Sequence, residues 1–547
     1  MAERLMGWEN EYAFSATGPG GEVVERSAAL DELNALARRD LVHLTALNGS
    51  GIFLANGGRL YTDAGAHEEA CTPECVNPWD VVRYLLAGEQ MLSTLLQALV
   101  EKKKLRSAWF YRCNVDYSLN GATWGAHESV MHRADPAKLP DDLLPFLASR
   151  VIFTGAGGFD ATSRTGCRFT LSPRAHFFKY PISDNSTRDR GIFHTKNETL
   201  ASEGYGRLHV LGESLNSHTG NWLKAATMAL CVAMAEAGLS PGRWVGLVSP
   251  VDAMRAFAGD PTCRARAPVQ AGRDMSALEI QRRYLQCARD NLGCAFMPAW
   301  APRAVEEWGA MLDRLEGAPA SVATCLDWAI KYQIFQARIE KRGFTWETLR
   351  HWSTATDLLR RCLDVAPGDQ SRTKLSCRFL LDPKGPLHGI VEQLTPYLAQ
   401  RGIDWKQVDD YLRLRLELFE IDMRFGQLGP DGLFNSLDRA GALQHRFPGV
   451  DNIEHAMACP PATGRAKLRG EFIRRTGASE GRYSCDWAAI YDNQEDRMLD
   501  LRDPWTSDEK WTDEFSTDPD EQLLLEVLRR HATAARPRER VTGGEPF

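Results

Sequence analysis

The stretch Met6-Gly-Trp-Glu-Asn-Glu-Tyr12 places two glutamates two positions apart in a segment that is typical of a β-strand. Alternate residues of a strand share one face, so Glu9 and Glu11 project together. The same alternation of charged and polar residues recurs in Arg59-Leu-Tyr-Thr-Asp63 and in Arg112-Cys-Asn-Val-Asp116. A sheet with this many carboxylates on one face needs cations to offset their repulsion. Mg²⁺ takes oxygen ligands and usually arrives with nucleotide phosphates, so the pattern indicates a metal-nucleotide enzyme.

The composition fits a folded enzyme with more than one domain. The chain has 547 residues, of which 44% are hydrophobic, and this is enough for a substantial core. Its formal net charge of -7 is spread along the chain without a long basic block, which argues against a nucleic-acid partner. We find no signal sequence and no apolar run of membrane-spanning length, so we expect no membrane partner and a cytoplasmic location. The 13 cysteines are expected to be reduced thiols.

Hydrophobic periodicity predicts strands early in the chain and helices later. Strands are predicted at 6–14, 51–63, 108–116, 151–155, 166–172 and 207–212. Helices are predicted at Pro78 to Lys103, 217–238, 276–292, 303–315, 322–341, 346–363 and 405–424. The simplest assembly is a mixed sheet that carries the polar residues, with helices packed behind it. A change of pattern predicts a large domain over 1–425, a smaller one over 426–506, and a charged, mobile tail over 507–547.

The order of several motifs resembles the Pup ligase and Pup deamidase/depupylase family. The opening strand and the stretch 58–75 are similar to the first two motifs of the family, and further matches follow in the same order to about residue 505. These are Trp124-Gly-Ala-His-Glu128, Arg207-Leu-His-Val210, 272–281, 325–331, 422–425, 429–434 and 460–470. The resemblance implies an α+β, glutamine-synthetase-like large domain with a curved, mostly antiparallel sheet backed by helices, and a small C-terminal domain.

The resemblance also implies an activity. In that family, ATP phosphorylates the side-chain carboxylate of a glutamate at the end of the small protein Pup, and a target lysine then displaces the phosphate. We therefore expect an ATP- and Mg²⁺-dependent isopeptide ligase that takes Pup or a Pup-like peptide and a lysine-bearing protein acceptor. The related deamidase/depupylase uses the same fold for hydrolysis.

The family motifs assign roles to particular residues of this chain. Asp63 matches the catalytic aspartate, which helps to accept the proton of the incoming lysine. The residues expected around the metal ions are Glu9, Glu11, Tyr61, Glu69 and Glu128. The cationic residues expected to bind the nucleotide or substrate are Arg207, Arg465, Arg469 and Lys196.

Each of these residues also has a structural interpretation. A Glu-x-Glu strand is usually a solvated face, and a lone arginine usually makes a surface ion pair. His67, His127 and His209 lie in the matching motifs, and each is either a metal ligand or a hydrogen-bonded structural histidine. The ordered motifs favour the functional interpretation for Asp63 and the Glu-x-Glu pair.

Departures from the family pattern leave three activities open. Residues 194–201 read His-Thr-Lys-Asn-Glu-Thr-Leu-Ala, where the family usually has Asn-Thr-Arg-Asp-Glu-Pro-His-Ala. Lys196 keeps the positive charge but lacks the planar fork of arginine. The candidates are a ligase, an ATP-requiring deamidase/depupylase, and a noncatalytic relative that binds peptide or nucleotide. Only about 47 residues separate Glu11 from Arg59, which leaves little room for the insertion that the deamidase branch carries and favours the ligase.

Overall fold

The computed structural model describes most of the chain. The described residues are 3–63, 65–117, 121–162, 166–185, 189–194, 201, 204–353, 356, 392–393, 395–396, 399–400, 402, 404–477 and 481–512. Lys196, part of the predicted helix at 346–363 and most of the predicted tail lie outside these residues. Within them, no helix is both long and apolar enough to cross a membrane.

The strands come first in the chain and return near its end. They are β1 Met6–Thr17, β2 His43–Ala46, β3 Ile52–Leu54, β4 Arg59–Thr62, β5 Glu68–Cys71, β6 Ser107–Tyr111, β7 Ala126–His132, β8 Gly158–Phe159, β9 Phe169–Thr170, β10 Tyr180–Ser183, β11 Gly191–His194, β12 Gly206–Gly212, β13 Arg266–Val269, β14 Arg273–Ser276, β15 Tyr483–Cys485, β16 Ala489–Asp492, β17 Arg497–Asp500 and β18 Trp511–Thr512. Most of them belong to one 14-stranded sheet, in the order β10-β11-β12-β7-β1-β5-β4-β3-β2-β15-β16-β17-β18, with β6 paired to β1. All its pairs are antiparallel except β10-β11 and β2-β15.

The helices fill the middle of the chain. They are α1 Arg26–Asp40, α2 Pro78–Lys103, α3 Leu139–Ser149, α4 Val151–Thr154, α5 His218–Glu236, α6 Pro250–Ala258, α7 Ala277–Asp290, α8 Ala301–Gly317, α9 Asp327–Lys341, α10 Trp405–Phe425, α11 Leu433–Arg439, α12 Ile453–Ala458 and α13 Gly464–Thr476. The predicted α+β class, a mostly antiparallel sheet with helices behind it, is confirmed.

Helix α2 begins and ends where its sequence predicts. The Asn77 side chain caps it by accepting a 2.9 Å hydrogen bond from the backbone N–H of Asp80, and Pro78 supplies the preset first turn. Lys104 ends it in a left-handed conformation. Its apolar stripe packs against the central strands, so the helix fixes the face of the sheet that is buried.

Strand β1 divides its side chains between the two faces of the sheet. Trp8 and Tyr12 are buried among residues of the helices α2 and α5, and the Tyr12 hydroxyl donates a 3.2 Å hydrogen bond to Glu89 of α2. Glu9 and Glu11 alternate with these residues and therefore lie on the opposite face. The hydrophobic alternation of β1 thus places the carboxylates on the face that the helices leave open.

The strand predicted at 151–155 is wrong, because Val151–Thr154 forms one turn of helix. Arg150 has helical backbone angles and continues from α3, and the backbone N–H of Gly155 donates a 3.0 Å hydrogen bond to the Val151 carbonyl. All four residues of this turn are buried. A short apolar run of this kind fits a buried helix as well as a buried strand, and the preceding helix decides the outcome.

The C-terminal strands extend the same sheet. β15 pairs in parallel with β2, so Ser484 lies opposite Thr45, and β16 to β18 continue outward from it. Helix α13, which lies in the C-terminal part of the chain, packs on the early strands β2 and β3. The predicted boundary near residue 426 stays a prediction, and the hydrogen-bonded sheet runs across it.

Candidate functional site

The predicted ligands Glu9, Glu11, Tyr61 and Glu69 occupy neighbouring positions on three strands. In the register of β1 and β5, Glu11 lies directly opposite Glu69. In the register of β4 and β5, Tyr61 lies on the other side of Glu69. On the second flank of β1, Glu9 lies opposite His127 of β7. Four side chains from distant parts of the sequence therefore meet on the open face of the sheet.

Six side chains form two groups with the spacing of metal ligands. One group is Glu9, His127 and His209, and the other is Glu11, Asp63 and His67. Within each group, one ligand atom from each residue lies within 4.8 Å of the other two. His127 links the groups, since its Nδ1 is 3.6 Å from Glu9 Oε2 and its Nε2 is 3.9 Å from Glu11 Oε1. The three histidines that the sequence left ambiguous thus lie beside the carboxylates.

Asp63 is held at the start of the tight turn between β4 and β5. The backbone N–H of His67 donates a 2.7 Å hydrogen bond to Asp63 Oδ1, and the His67 ring Nδ1 lies 3.3 Å from Oδ2. The His67 ring also packs against Trp124, with the ring centroids 5.4 Å apart. Burial favours the protonated carboxyl, but the hydrogen bonds from His67 outweigh it and lower the pKa of Asp63. Asp63 is therefore an ionised acceptor with a fixed orientation.

Crowded carboxylates leave an excess of negative charge at this face. Burial, followed by the repulsion of Glu9 and Glu11, raises the pKa of Glu69 to about 9. Burial also raises the pKa of Tyr61 well above its ordinary range. His209 shows the opposite shift, because burial lowers its pKa to about 3 and leaves its ring neutral, as a metal ligand must be. A divalent cation among these oxygen atoms would restore the ionised form of Glu69.

Glu128 lies on the opposite face of the sheet from this group. Its neighbour His127 faces the carboxylates, so the alternation of β7 turns Glu128 towards the helices. Its oxygens accept hydrogen bonds of 2.9 and 2.7 Å from Arg150, and Lys224 Nζ lies 3.8 Å away. Glu128 is completely buried. The structure thus does not bring Glu128 to the other predicted metal ligands, and its contacts are those of a buried ion pair.

A cleft opens beside Glu9 on the same face of the sheet. It has a volume of about 680 Å³, including the space open to solvent. One wall carries Gly7, Ser129 and Arg207 from the sheet strands. The other wall carries residues from the C-terminal part of the chain, among them Arg465 and Trp487. The cleft thus adjoins the cluster of carboxylate side chains, and its walls come from regions that are far apart in the sequence.

Arg465 and Arg469 both bind Glu74 in the structure. Arg465 Nε donates a 2.6 Å hydrogen bond to Glu74 Oε1. Arg469 makes an ion pair with Glu74 and donates a 2.7 Å hydrogen bond to the Gly57 carbonyl. Burial raises the pKa of Glu74, but the two guanidinium groups outweigh it and hold that pKa at about 2. Arg465 lines the cleft, whereas Arg469 is completely buried and joins α13 to the segment between β5 and α2.

Two residues of this region were missing from the sequence-based set. Glu74 stands in the motif of residues 58–75, but its arginine partners lie in the C-terminal part of the chain and that motif does not indicate them. Trp487 carries no signal of its own, because it reaches the cleft only through the pairing of β15 with β2.

Comparison with known proteins gives a consistent relationship over nearly the whole chain. A family model described as Pup-ligase protein matches residues 4–359 and 379–491. Pup–protein ligase 1 of Rhodococcus erythropolis is 32% identical over 517 residues, which cover 93% of this chain and 97% of that relative.

Two solved structures share the fold. A complex between the prokaryotic ubiquitin-like protein Pup and its ligase PafA is similar with a TM-score of 0.69 and 21% identity, over 97% of this chain and 93% of that one. A structure of the Pup ligase PafA with ADP has a TM-score of 0.63 and 21% identity, over 92% and 94% of the two chains. The sequence matches and the shared fold agree, and the chain belongs to the Pup-ligase protein family.

Proposed function

We propose that this protein is an ATP-dependent ligase that joins a glutamate side-chain carboxylate of Pup, or of a Pup-like peptide, to a lysine amine of an acceptor protein. The observation that carries this proposal is the grouping of Asp63 with Glu9, Glu11 and Glu69 beside a cleft that Arg207 and Arg465 line. The names of the relatives, Pup–protein ligases, point to the same reaction. The use of ATP supports the cytoplasmic location expected from the sequence.

Mg²⁺ is the cation that fits the carboxylate face best. Glu9, Glu11, Glu69 and the Tyr61 hydroxyl supply the oxygen atoms that this hard ion prefers. Burial and the charges of Glu9 and Glu11 raise the pKa of Glu69, so a divalent cation bound here would favour its ionised form. Mg²⁺ would shield the charge of the phosphates during transfer. We place the neutral His209 ring beside these ligands as a further contact.

The cleft between the sheet and the C-terminal segment is the proposed nucleotide site. Glu9 lines it, so phosphates bound beside Glu9 lie close to the carboxylate face. Arg207 and Arg465 line the same cleft and supply cationic forks of the kind that bind phosphate oxygens. Trp487 offers an aromatic surface for the base. Arg469 supports this wall indirectly, through its ion pair with Glu74.

The proposed reaction has two steps that this site can support. First, an oxygen of the glutamate side chain attacks the γ-phosphorus of ATP, the bond to the β-phosphate oxygen breaks, and ADP leaves. The lysine amine then attacks the carbonyl carbon of the acyl phosphate, and inorganic phosphate leaves. Asp63 accepts the proton that the amine loses, because it is ionised and fixed by His67. Catalysis of this kind rests mainly on positioning and charge stabilisation.

The connection between β1 and β4 supports the ligase over the deamidase. Residues 18–58 are all described, and they form α1, β2 and β3 with short turns between them. This part of the described chain therefore contains no long insertion. The alternative is a deamidase/depupylase activity, and the experiment must distinguish it from ligase activity.

The test is conjugate formation by purified protein with Mg-ATP, a Pup-type peptide ending in glutamate, and a lysine-bearing acceptor. We expect a conjugate by mass spectrometry and one phosphate released for each bond formed. Asp63→Asn should lower the rate by at least about 100-fold, because the proton acceptor is lost. Asp313→Asn, a change at an exposed carboxylate, is the matched control and should leave the rate unchanged.

The same reactions distinguish the alternatives. Release of ammonia from a glutamine-ending peptide without steady ATP consumption would favour the deamidase. No product with either peptide, combined with a melting temperature that rises on addition of Mg-ATP, would favour a binding role.

A further inference from the structure

Three polar side chains form a hydrogen-bonded group at the base of the turn that carries Asp63. Thr62 of β4 and Glu68 of β5 lie directly opposite each other and close the hairpin. The Thr62 hydroxyl donates a 2.8 Å hydrogen bond to Glu68 Oε2. It accepts a 2.9 Å hydrogen bond from the side-chain amide of Asn34, which lies on α1. We call Asn34, Thr62 and Glu68 the hairpin anchor.

Burial of Glu68 at this position lowers the stability of the folded protein. The residue is 0% exposed, and in the described part of the chain no lysine, arginine or histidine nitrogen lies within 4.0 Å of its carboxyl group. Its Oε1 has no hydrogen-bond partner among the described residues. Burying a carboxyl group without a cation costs stability, and an apolar side chain of similar size would avoid that cost. Stability alone therefore does not account for the hairpin anchor.

The turn above the anchor is itself strained. Ala66 has a φ of 57°, a left-handed backbone conformation that residues other than glycine rarely adopt. Such a conformation persists only when the surrounding structure fixes it. The backbone N–H of Asp63 donates to the His67 carbonyl at 2.9 Å, and that of Ala66 donates to the Asp63 carbonyl at 3.1 Å. The Thr62–Glu68 pair is the last pair of the hairpin before the turn. It therefore fixes the positions of the two strands at the points where the turn begins and ends.

We propose that Asn34, Thr62 and Glu68 are positioning residues that hold the Asp63 turn in its reactive geometry by tying it to α1. This inference rests on the proposed function, because it concerns the orientation of the proposed proton acceptor. The Thr62 hydroxyl is the central link, since it binds both α1 and β5. Without the link, Asp63 shifts relative to Glu11 on β1, and displacements of about 1 Å at a reacting group can cost about 100-fold in rate.

Glu68→Met is the discriminating variant. It removes the buried carboxyl group while keeping its approximate volume, so we expect a melting temperature equal to or higher than that of the wild type. We expect kcat to fall at least about 10-fold, with KM for ATP changed less than about twofold. Thr62→Val should reproduce the loss of kcat, and Thr62→Ser, which keeps the hydroxyl, should restore most of it.

Gln281→Met is the matched control. Gln281 is completely buried, donates hydrogen bonds to Phe146 O and Ser149 Oγ, and lies on α7 outside the site described above. It should change the melting temperature but leave kcat unchanged. A purely structural role for Glu68 would make the two variants behave alike, and an unchanged kcat in folded Glu68→Met overturns the proposal.

Amide hydrogen exchange separates this inference from the proposed function. In Glu68→Met, the amides of residues 65–67 should exchange at least about 10-fold faster than in the wild type, while those of α5 stay the same. Unchanged exchange in the turn overturns the positioning role. This readout needs no ligase activity, so an inactive wild type would overturn the proposed function alone.

Discussion

At the scale of single residues, a substitution of Glu128 distinguishes a structural role of this residue from a metal-binding role. Its carboxylate is completely buried against Arg150 and Lys224, on the face of the sheet that packs on the helices. Glu128→Gln leaves the Arg150 guanidinium buried without a countercharge. We expect the free energy of unfolding to fall by about 3–5 kcal/mol, measured by urea titration.

The double variant Glu128→Leu with Arg150→Met is the control for Glu128. It removes the charges of Glu128 and Arg150 together and leaves Lys224 with its 2.8 Å hydrogen bond to the Glu213 carbonyl, so part of the lost stability should return. Mg²⁺ binding, followed by calorimetry, should stay unchanged in the folded Glu128→Gln protein. The opposite pattern, with intact stability and lost Mg²⁺ affinity, would return Glu128 to the metal site that the family resemblance implied.

At the scale of elements, Glu74 joins α13 to the strands of the sheet. It holds two buried arginines, Arg465 and Arg469, which lie on successive turns of that helix. We expect Glu74→Gln to loosen this junction, because two guanidinium groups lose their countercharge at once. Amide exchange should become faster in residues 464–477 and 481–501 and stay unchanged in α5.

Glu471→Gln is the control for Glu74, since it changes a half-exposed glutamate on the same helix. Glu471 approaches Lys467 only at 4.0 Å, and a surface pair of this kind contributes little. Equal exchange in both variants would mean that the Glu74 ion pairs do not hold the junction.

Elements with a long pattern and clear capping signals were predictable from the sequence. α2 begins and ends as predicted, and β1 and β12 lie close to their predicted positions. The four-residue turn at Val151–Thr154 was not predictable, because its apolar run has no period of its own and follows the conformation of α3. The pairing of β15 with β2 is a contact between distant segments, which local patterns do not encode.

At the scale of the whole molecule, the site was predictable where it follows strand alternation. The positions of Glu9, Glu11, Tyr61 and Glu69 on one face follow from the period of two in their strands and from register. The partners of the arginines did not follow, because the Glu74 contacts depend on how the C-terminal segment docks. The order of the motifs indicated the family, whereas the second wall of the cleft required the structure.

The cleft makes nucleotide binding a property of the whole molecule. Its walls come from the early strands and from the segment that carries Arg465 and Trp487, so a bound nucleotide contacts both. We expect Mg-ADP to slow amide exchange in residues 5–9 and 129–131 and, in parallel, in residues 464–469 and 485–489. At a concentration of 100 times Kd, the gain in stability should be about 2.7 kcal/mol. Asp63→Asn should show the same protection, because it alters the reacting group rather than the cleft. Protection confined to the sheet strands would mean that the nucleotide binds without the C-terminal wall, and the proposed roles of Arg465 and Trp487 would then be wrong.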